Sequence, residues 1–270
     1  MFSARPSIPP RAPASADDAL LLAQGRYELR LARTASELDA AFALRFAVFN
    51  LELGEGLKHA ALTGRDEDEY DAQCRHLIVT DRGDGTVVGT YRLQTAEDAA
   101  RGNGFYTASE FDLSALPRVV LDGGLELGRA CIAREHRNTR VLFLLWRGIA
   151  EVARRTGKRW LFGCCSLTSQ DPRQGRALLD VLAARGARHP RYDVRPRPGH
   201  RCWPALSPCD AAPEVEVPRL FDMYLSLGAR VCGDPAIDRA FGTIDYLVLF
   251  DLDDLDPKSR ARFLPGEARA

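Results

Sequence analysis

The chain carries no excess charge: 37 Lys and Arg stand against 37 Asp and Glu in 270 residues. No global field therefore draws it onto nucleic acid or a membrane. It has no apolar run approaching membrane-spanning length. Its first residues, Met1-Phe-Ser-Ala-Arg-Pro-Ser-Ile-Pro-Pro-Arg-Ala-Pro13, hold no apolar stretch long enough for a signal-peptide core. The cysteines lack a C-x-x-C pair, and their number, seven, is odd. Reduced thiols in the cytoplasm are the default expectation. Cys202, Cys209 and His200 share a Pro-rich stretch that is zinc-like in composition but not in spacing. Loop and core thiols are the plainer reading, and no metal is expected. Hydrophobic residues make up 46% and charged residues 27%, which suits a globular protein with an ample core and no need of staples.

The charge that is present is unevenly spread. Residues 129–159 hold nine Lys or Arg against two acids, a net of +7. This segment opens on a short apolar strand, Leu125-Glu-Leu-Gly-Arg-Ala-Cys-Ile-Ala133, which carries an acid and a base, Glu126 and Arg129, three positions apart. A cationic loop follows, Arg134-Glu-His-Arg-Asn-Thr-Arg140, and then a long helix over about 138–156, ended by Gly157. Strand, cationic turn and helix N-terminus together make an anion site from backbone N–H groups and the helix dipole. Arg140, Arg147 and Arg154 recur every seven residues and share a helix face. That face is either solvated or a dock for an acidic protein. No aromatic residues interleave with it, so nucleic acid is not expected.

Elsewhere the pattern is mixed. Residues 1–24 are rich in Pro, Ala and Ser and are expected to form a mobile leader. Tyr27–Ala32 alternates as a strand. Ser36 is the expected cap of a helix whose apolar face is Leu38, Phe42, Phe46 and Phe49. Residues 51–72 read as an acidic loop with short helical pieces. His76–Thr80 and Thr86–Leu93 flank Asp81-Arg-Gly-Asp-Gly85 as a hairpin. Residues 97–117 connect to the strand at 125–133. A buried strand at Trp160–Cys165, a helix from Pro172, an irregular insertion at about 187–213, a helix Val217–Leu227 and a strand Thr243–Phe250 complete the chain. One domain over 25–256 is expected, with a tail at 257–270. The predicted class is α/β (α+β), with a mixed sheet flanked by helices.

The spacing Arg45-x-x-x-Phe49, Asp68-x-x-Asp71, Arg92 and Glu126-x-x-Arg129 resembles the charged set of the GNAT acyltransferase superfamily, in the branch related to acyl-homoserine-lactone synthases. A tryptophan that those synthases carry after the Phe is missing from Leu51–Gly56. The nearer resemblance is to the ornithine N-acyltransferases of ornithine-lipid synthesis, often termed hemolysin-like. It rests on Asp68-Glu-Tyr-Asp-Ala-Gln-Cys-Arg-His76, Val88-Gly-Thr-Tyr-Arg-Leu93, Glu126-Leu-Gly-Arg-Ala-Cys131, Leu161-Phe-Gly-Cys-Cys-Ser166, Tyr224-Leu-Ser-Leu-Gly-Ala229, Gly233-Asp-Pro-Ala-Ile-Asp238 and Phe241-Gly-Thr-Ile-Asp245, and covers residues 27–252 in register.

The resemblance implies a GNAT-like, mostly antiparallel sheet. It also implies transfer of a 3-hydroxyacyl chain from acyl carrier protein to the α-amine of ornithine. No resident cofactor is implied; the carrier protein's phosphopantetheine thioester is the donor substrate. The loop at 134–141 lacks the glycines with which acetyl-CoA enzymes hold a pyrophosphate, which favours a carrier-protein donor. On this reading Glu126 takes a proton from the amine or anchors it, beside Arg129. Strand N–H groups at Ala130–Ile132 receive the oxyanion. Arg45, Phe49, Asp68, Asp71 and Arg92 bind the acceptor, the arginines its carboxylate and the aspartates its cationic side chain. Arg134, Arg137, Asn138, Thr139, Arg140, Arg147 and Arg154 receive the donor.

The same arginines and aspartates have a second reading, in which they pair among themselves and fix the N-terminal lobe over the sheet. Cys131 is expected to be a core residue, not a nucleophile. Alternatives to ornithine acylation are another amino-acid acceptor, homoserine-lactone synthesis, or a membrane-active hemolysin. Residues Arg185–Arg201 either touch anionic headgroups or form a solvated loop. The expected location is the cytoplasm, with peripheral membrane contact left open.

Overall fold

The computed structural model describes residues 21–203 and 213–264; Cys209 lies outside them. Strands β1 (Leu21–Gln24) and β2 (Tyr27–Leu31) form an antiparallel hairpin. β1 falls within the segment expected to be a mobile leader, yet it pairs from Leu21↔Arg30 to Gln24↔Tyr27. Helix α1 (Ala35–Phe46) is capped by Thr34, not by Ser36. Thr34 is the residue with extended backbone, so its hydroxyl reaches the Glu37 N–H at 3.2 Å while Glu37 accepts the Thr34 N–H at 3.0 Å. The chain continues from α1 into a π-helical turn, Ala47–Glu52, which carries Phe49. A short α2 (Ala60–Thr63) precedes the hairpin β3 (Arg75–Asp81) and β4 (Val87–Thr95).

The connector to the central strand holds three short helices, α3 (Ala96–Ala100), α4 (Thr107–Glu110) and α5 (Arg118–Asp122). Then come β5 (Gly124–Ile132), α6 (Thr139–Thr156), β6 (Trp160–Leu167) and α7 (Pro172–Ala184). After the insertion follow α8 (Arg219–Leu227), β7 (Arg230–Val231), β8 (Ala236–Asp238), β9 (Thr243–Asp251) and α9 (Pro257–Phe263). The last helix lies in the expected tail, and its Phe263 stacks on Phe143 of α6 at 5.7 Å.

Among the described residues nine strands make one sheet, in the order β1-β2-β3-β4-β5-β6-β9-β7, with β8 also on β9. Every pairing is antiparallel except β5 with β6, the central βαβ unit. This is the mixed, mostly antiparallel sheet expected. Helix α6 packs against β1–β5 through Val141, Leu144, Leu145 and Ile149. Gly148 lets it come close: a Cβ there would stand 2.7 Å from the Leu29 side chain. Strand alternation then sorts β4 and β5. Tyr91, Leu93 and Leu125 face α6, so Arg92 and Glu126 fall on the opposite face, the face of α1 and the connector. The insertion is stitched down by bridges Phe111↔Pro196, Arg188↔Val231 and Arg201↔Ala236, with Val194 fully buried. Among the described residues no helix is long and apolar enough to cross a membrane.

Candidate active site

Two irregularities in β5 build the site. The first is a bulge. Thr90 pairs with Cys131, but Arg92 pairs with Gly128, so β5 holds an extra residue between them. Arg129 sits there with φ 48°, a left-handed backbone that ordinary side chains avoid. Holding it costs on the order of 1–3 kcal/mol. The second is the end of the ladder to β6. Pairing runs Gly124↔Trp160, Leu125↔Leu161, Glu126↔Phe162 and stops. Gly163 is the residue at the parting, where a Cβ would be 2.2 Å from the Leu127 carbonyl oxygen. The β5–β6 ladder therefore ends at Glu126, with Gly163 still lying against Leu127.

The arginines and aspartates singled out in the sequence meet beneath this point. Arg45 is fully buried and spans two acids, its Nε 2.9 Å from Asp66 and its Nη1 2.8 Å from Asp71. Arg92 donates to Asp68 at 2.6 Å and to Asp71 at 3.1 Å. Arg129 donates to Asp68 at 2.9 Å and lies 3.4 Å from Asp66. Three guanidinium groups and three carboxylates thus balance in charge. Burial alone would raise the carboxyls of Asp68 and Asp71. The arginines outweigh it and hold both below the usual range, Asp71 far below. Of the two readings of these residues, mutual pairing is the arrangement seen in the free protein. Asp66, absent from the sequence reading, is its third acid. Phe49 is not in this network; it packs edge-on against Phe241 at 5.3 Å. The Arg129 guanidinium in turn lies over the rings of both Phe241 and Tyr106, at 4.4 and 4.9 Å.

Glu126 is buried on the same face. Its Oε1 accepts the Thr107 N–H at 2.7 Å and its Oε2 the Tyr106 N–H at 3.0 Å, at the start of α4. Burial pushes its carboxyl up, and those N–H bonds with nearby Arg92 offset only part of that. A buried carboxyl poised above its ordinary range suits proton transfer. Cys131 is buried with Val48, Phe49 and Phe241, and burial pushes its thiol up to about 12. It is a packing residue.

The expected donor-binding residues spread over the start and outer face of α6. Asn138 is the helix cap: its Oδ1 accepts the N–H groups of Arg140 and Val141, both at 3.1 Å. Arg137 forks onto Glu52 and also donates to the Ile132 carbonyl. Arg134 is exposed. Arg154 is drawn onto Glu151 at 2.7 Å. Thr139, Arg140 and Arg147 instead line a surface hollow of about 260 Å³ together with Gln24, Phe143 and Arg262. Arg262, from α9, was not foreseen.

An open β5/β6 seam beside a buried acid, with a basic helix start after β5, defines an acyltransferase of the GNAT type. Residues 44–147 match the acetyltransferase (GNAT) domain family. The chain is 35% identical over 255 residues to an L-ornithine N(alpha)-acyltransferase of Brucella abortus (strain 2308), spanning 89% of this chain and 90% of that one. It is 36% identical over 236 residues to one of Rhizobium meliloti (strain 1021), spanning 83% and 80%. The chain belongs to this family of L-ornithine N(alpha)-acyltransferases. Among solved structures, the AHL synthase LasI superposes with a TM-score of 0.48 at 12% identity, covering 93% of this chain and 98% of that one.

Proposed function

We propose that this protein transfers a 3-hydroxyacyl chain from acyl carrier protein to the α-amine of ornithine, the first step of ornithine-lipid synthesis. The observation that carries the reading is Glu126, a buried acid at the point where the β5–β6 ladder ends, in a chain that matches a named ornithine acyltransferase over 89% of its length. The thioester carbonyl would lie along the unpaired edge of β5. Glu126 would take a proton from the α-ammonium. The amine nitrogen then attacks the carbonyl carbon, the C–S bond breaks, and the thiolate takes the proton that the attacking nitrogen sheds on becoming an amide. The products are an amide and the carrier thiol. Arg129, with Arg92 behind it, would hold the acceptor carboxylate by exchange with Asp68, the one acid of the network with partial exposure. Arg45 is then a strut under the site.

Donor choice rests on the hollow lined by Arg140, Arg147 and Arg262. Clustered guanidinium groups suit the acidic surface and the single phosphodiester of a loaded carrier protein, and raise the on-rate. Because the product is a lipid, release at the inner membrane face is part of the proposal. The test is release of free thiol when purified protein meets ornithine and a 3-hydroxyacyl thioester on either carrier protein or coenzyme A. Faster turnover with carrier protein is expected. Equal kcat/KM for both donors removes the carrier-protein assignment, and no turnover with either removes the function.

A further inference from the structure

The interior around Arg129 contains more acid than the balanced network needs. Glu110 on α4, Asp238 on β8 and Asp245 on β9 are 2%, 6% and 3% exposed. Among the described residues none of the three has an ion-pair partner. Asp238 is satisfied: its Oδ1 accepts the Ala240 and Phe241 N–H groups, and its Oδ2 accepts the Tyr106 hydroxyl at 3.0 Å. Glu110 and Asp245 are met only in part, Glu110 Oε2 accepting the Cys164 thiol at 3.9 Å. Glu110 Oε1 and Asp245 Oδ1 are buried without any hydrogen-bond partner. A buried carboxylate oxygen left bare costs several kcal/mol unless it is protonated or met by a ligand, so the arrangement needs a reason.

The geometry supplies one. A carboxylate oxygen of Glu110, one of Asp245 and the Cys164 sulfur all lie within 4.8 Å of one another. An ammonium nitrogen about 2.8 Å from each of two oxygens, at the tetrahedral angle, sets them about 4.6 Å apart. Position fits as well. Cys164 is two residues beyond the last β5–β6 pair, on the face of β6 that carries Phe162. Thr107, which donates to Glu126, is three residues before Glu110, about 4.5 Å of helix rise.

We propose that Glu110 and Asp245 bind the side-chain ammonium of a diamino-acid acceptor, and that Asp238 and Tyr106 position them by fixing the turn after β8 and the start of α4. The inference rests on the acyltransferase reading above and adds where the second amine goes. It moves recognition of the acceptor's cationic side chain away from Asp68 and Asp71, whose charges are already met by arginines. The pair also makes binding depend on pH. In the free protein Glu110 and Asp245 face each other, Asp238, Arg129 and Cys164; Tyr106 also faces Glu110, and Glu55 faces Asp245. Burial and the neighbouring acids push both up, Asp245 to about 6 and Glu110 further. An ammonium binds their ionised forms, so its arrival releases protons.

The experiment compares ornithine with norvaline, the same carbon skeleton without the side-chain amine. Glu110→Gln and Asp245→Asn are each expected to lower the ornithine-to-norvaline ratio of kcat/KM by roughly 10- to 100-fold. Calorimetry of ornithine binding to the unaltered protein, in buffers of different ionisation enthalpy, is expected to show proton release near pH 6–7. If the unaltered protein acylates ornithine but the ratio holds in both variants, and no proton is released, the ammonium site is wrong while the function stands. If the unaltered protein acylates no amino acid, the function itself has failed. Tight stoichiometric Zn²⁺ binding that Cys164→Ser abolishes, with the substrate ratio unchanged in the carboxyl variants, assigns the cluster to a metal and overturns the proposal.

Discussion

Replacing Asp245 by Asn should make the free protein more stable, and increasingly so as pH rises. In the unfolded chain this carboxyl ionises at its ordinary 3.8, and in the folded protein burial and Asp238 raise it to about 6. The sign follows from the direction. A raised carboxyl holds its proton more tightly when folded, so its contribution is neutral at low pH and turns destabilising as pH rises through that interval. The shift corresponds to about 3 kcal/mol lost at pH 8 and about half that at pH 5. Asn cannot ionise, keeps the size, and escapes the penalty. For a chain of this length the gain at pH 8 is roughly 6–10 °C in Tm. Thermal melts of both proteins at pH 5 and pH 8 measure it, and saturating ornithine should shrink the gap by stabilising the unaltered protein more. An Asn variant that melts lower at pH 8, or by the same margin at both pH values, refutes the idea that Asp245 is held under charge stress.

Three further outcomes follow from the same structure. Arg45→Met leaves three carboxylates, Asp66, Asp68 and Asp71, facing only Arg92 and Arg129 and should cost roughly 3–5 kcal/mol, read as the denaturant midpoint; a change under 1 kcal/mol would mean the network is not what holds α1 to the sheet. Glu126→Gln should lower kcat and remove the acid limb of the kcat/KM profile, a limb that lies above the ordinary carboxylate range in the unaltered enzyme because that carboxyl is raised; near-normal turnover at pH 7 leaves Glu126 as a structural acceptor for α4. The double reversal Arg140→Glu with Arg147→Glu should raise KM for a carrier-protein donor several-fold with little effect on kcat, an effect weakened by added salt; an unchanged KM places the carrier elsewhere.

Much of this was legible in the chain because strong local signals coincide with tertiary need. Alternation in β4 and β5 puts Arg92 and Glu126 on one face, and the Gly157 stop ends α6 by backbone chemistry that a short window reveals; that Asn138 caps the helix came only from the structure. What stayed hidden depends on topology. Asp66 lies in the polar run Arg65-Asp66-Glu67, which reads as surface until α1 folds over it. Glu110 ends a four-residue helix inside a connector. Asp238 and Asp245 belong to strands that meet only because β8 turns back onto β9. Burial of an acid has no sequence signature of its own, so the second acidic cluster could not be separated from solvated charge. The π-turn after α1, the α9 contact that brings Arg262 to Arg140 and the strand in the leader are likewise tertiary outcomes. Asp68 and Asp71 illustrate the converse: their spacing marked them correctly as a unit, but the arginines they face were needed to show that they are already neutralised.

In the proposed reaction the acceptor is oriented by its two ends, the α-amine at Glu126 and the side-chain ammonium at Glu110 and Asp245. Tandem mass spectrometry of the product from ornithine and a 3-hydroxyacyl carrier-protein thioester tests it most directly. The expected product carries the acyl chain on the α-nitrogen, with the side-chain amine free. Acylation at the side-chain nitrogen, or a mixture of both, contradicts it.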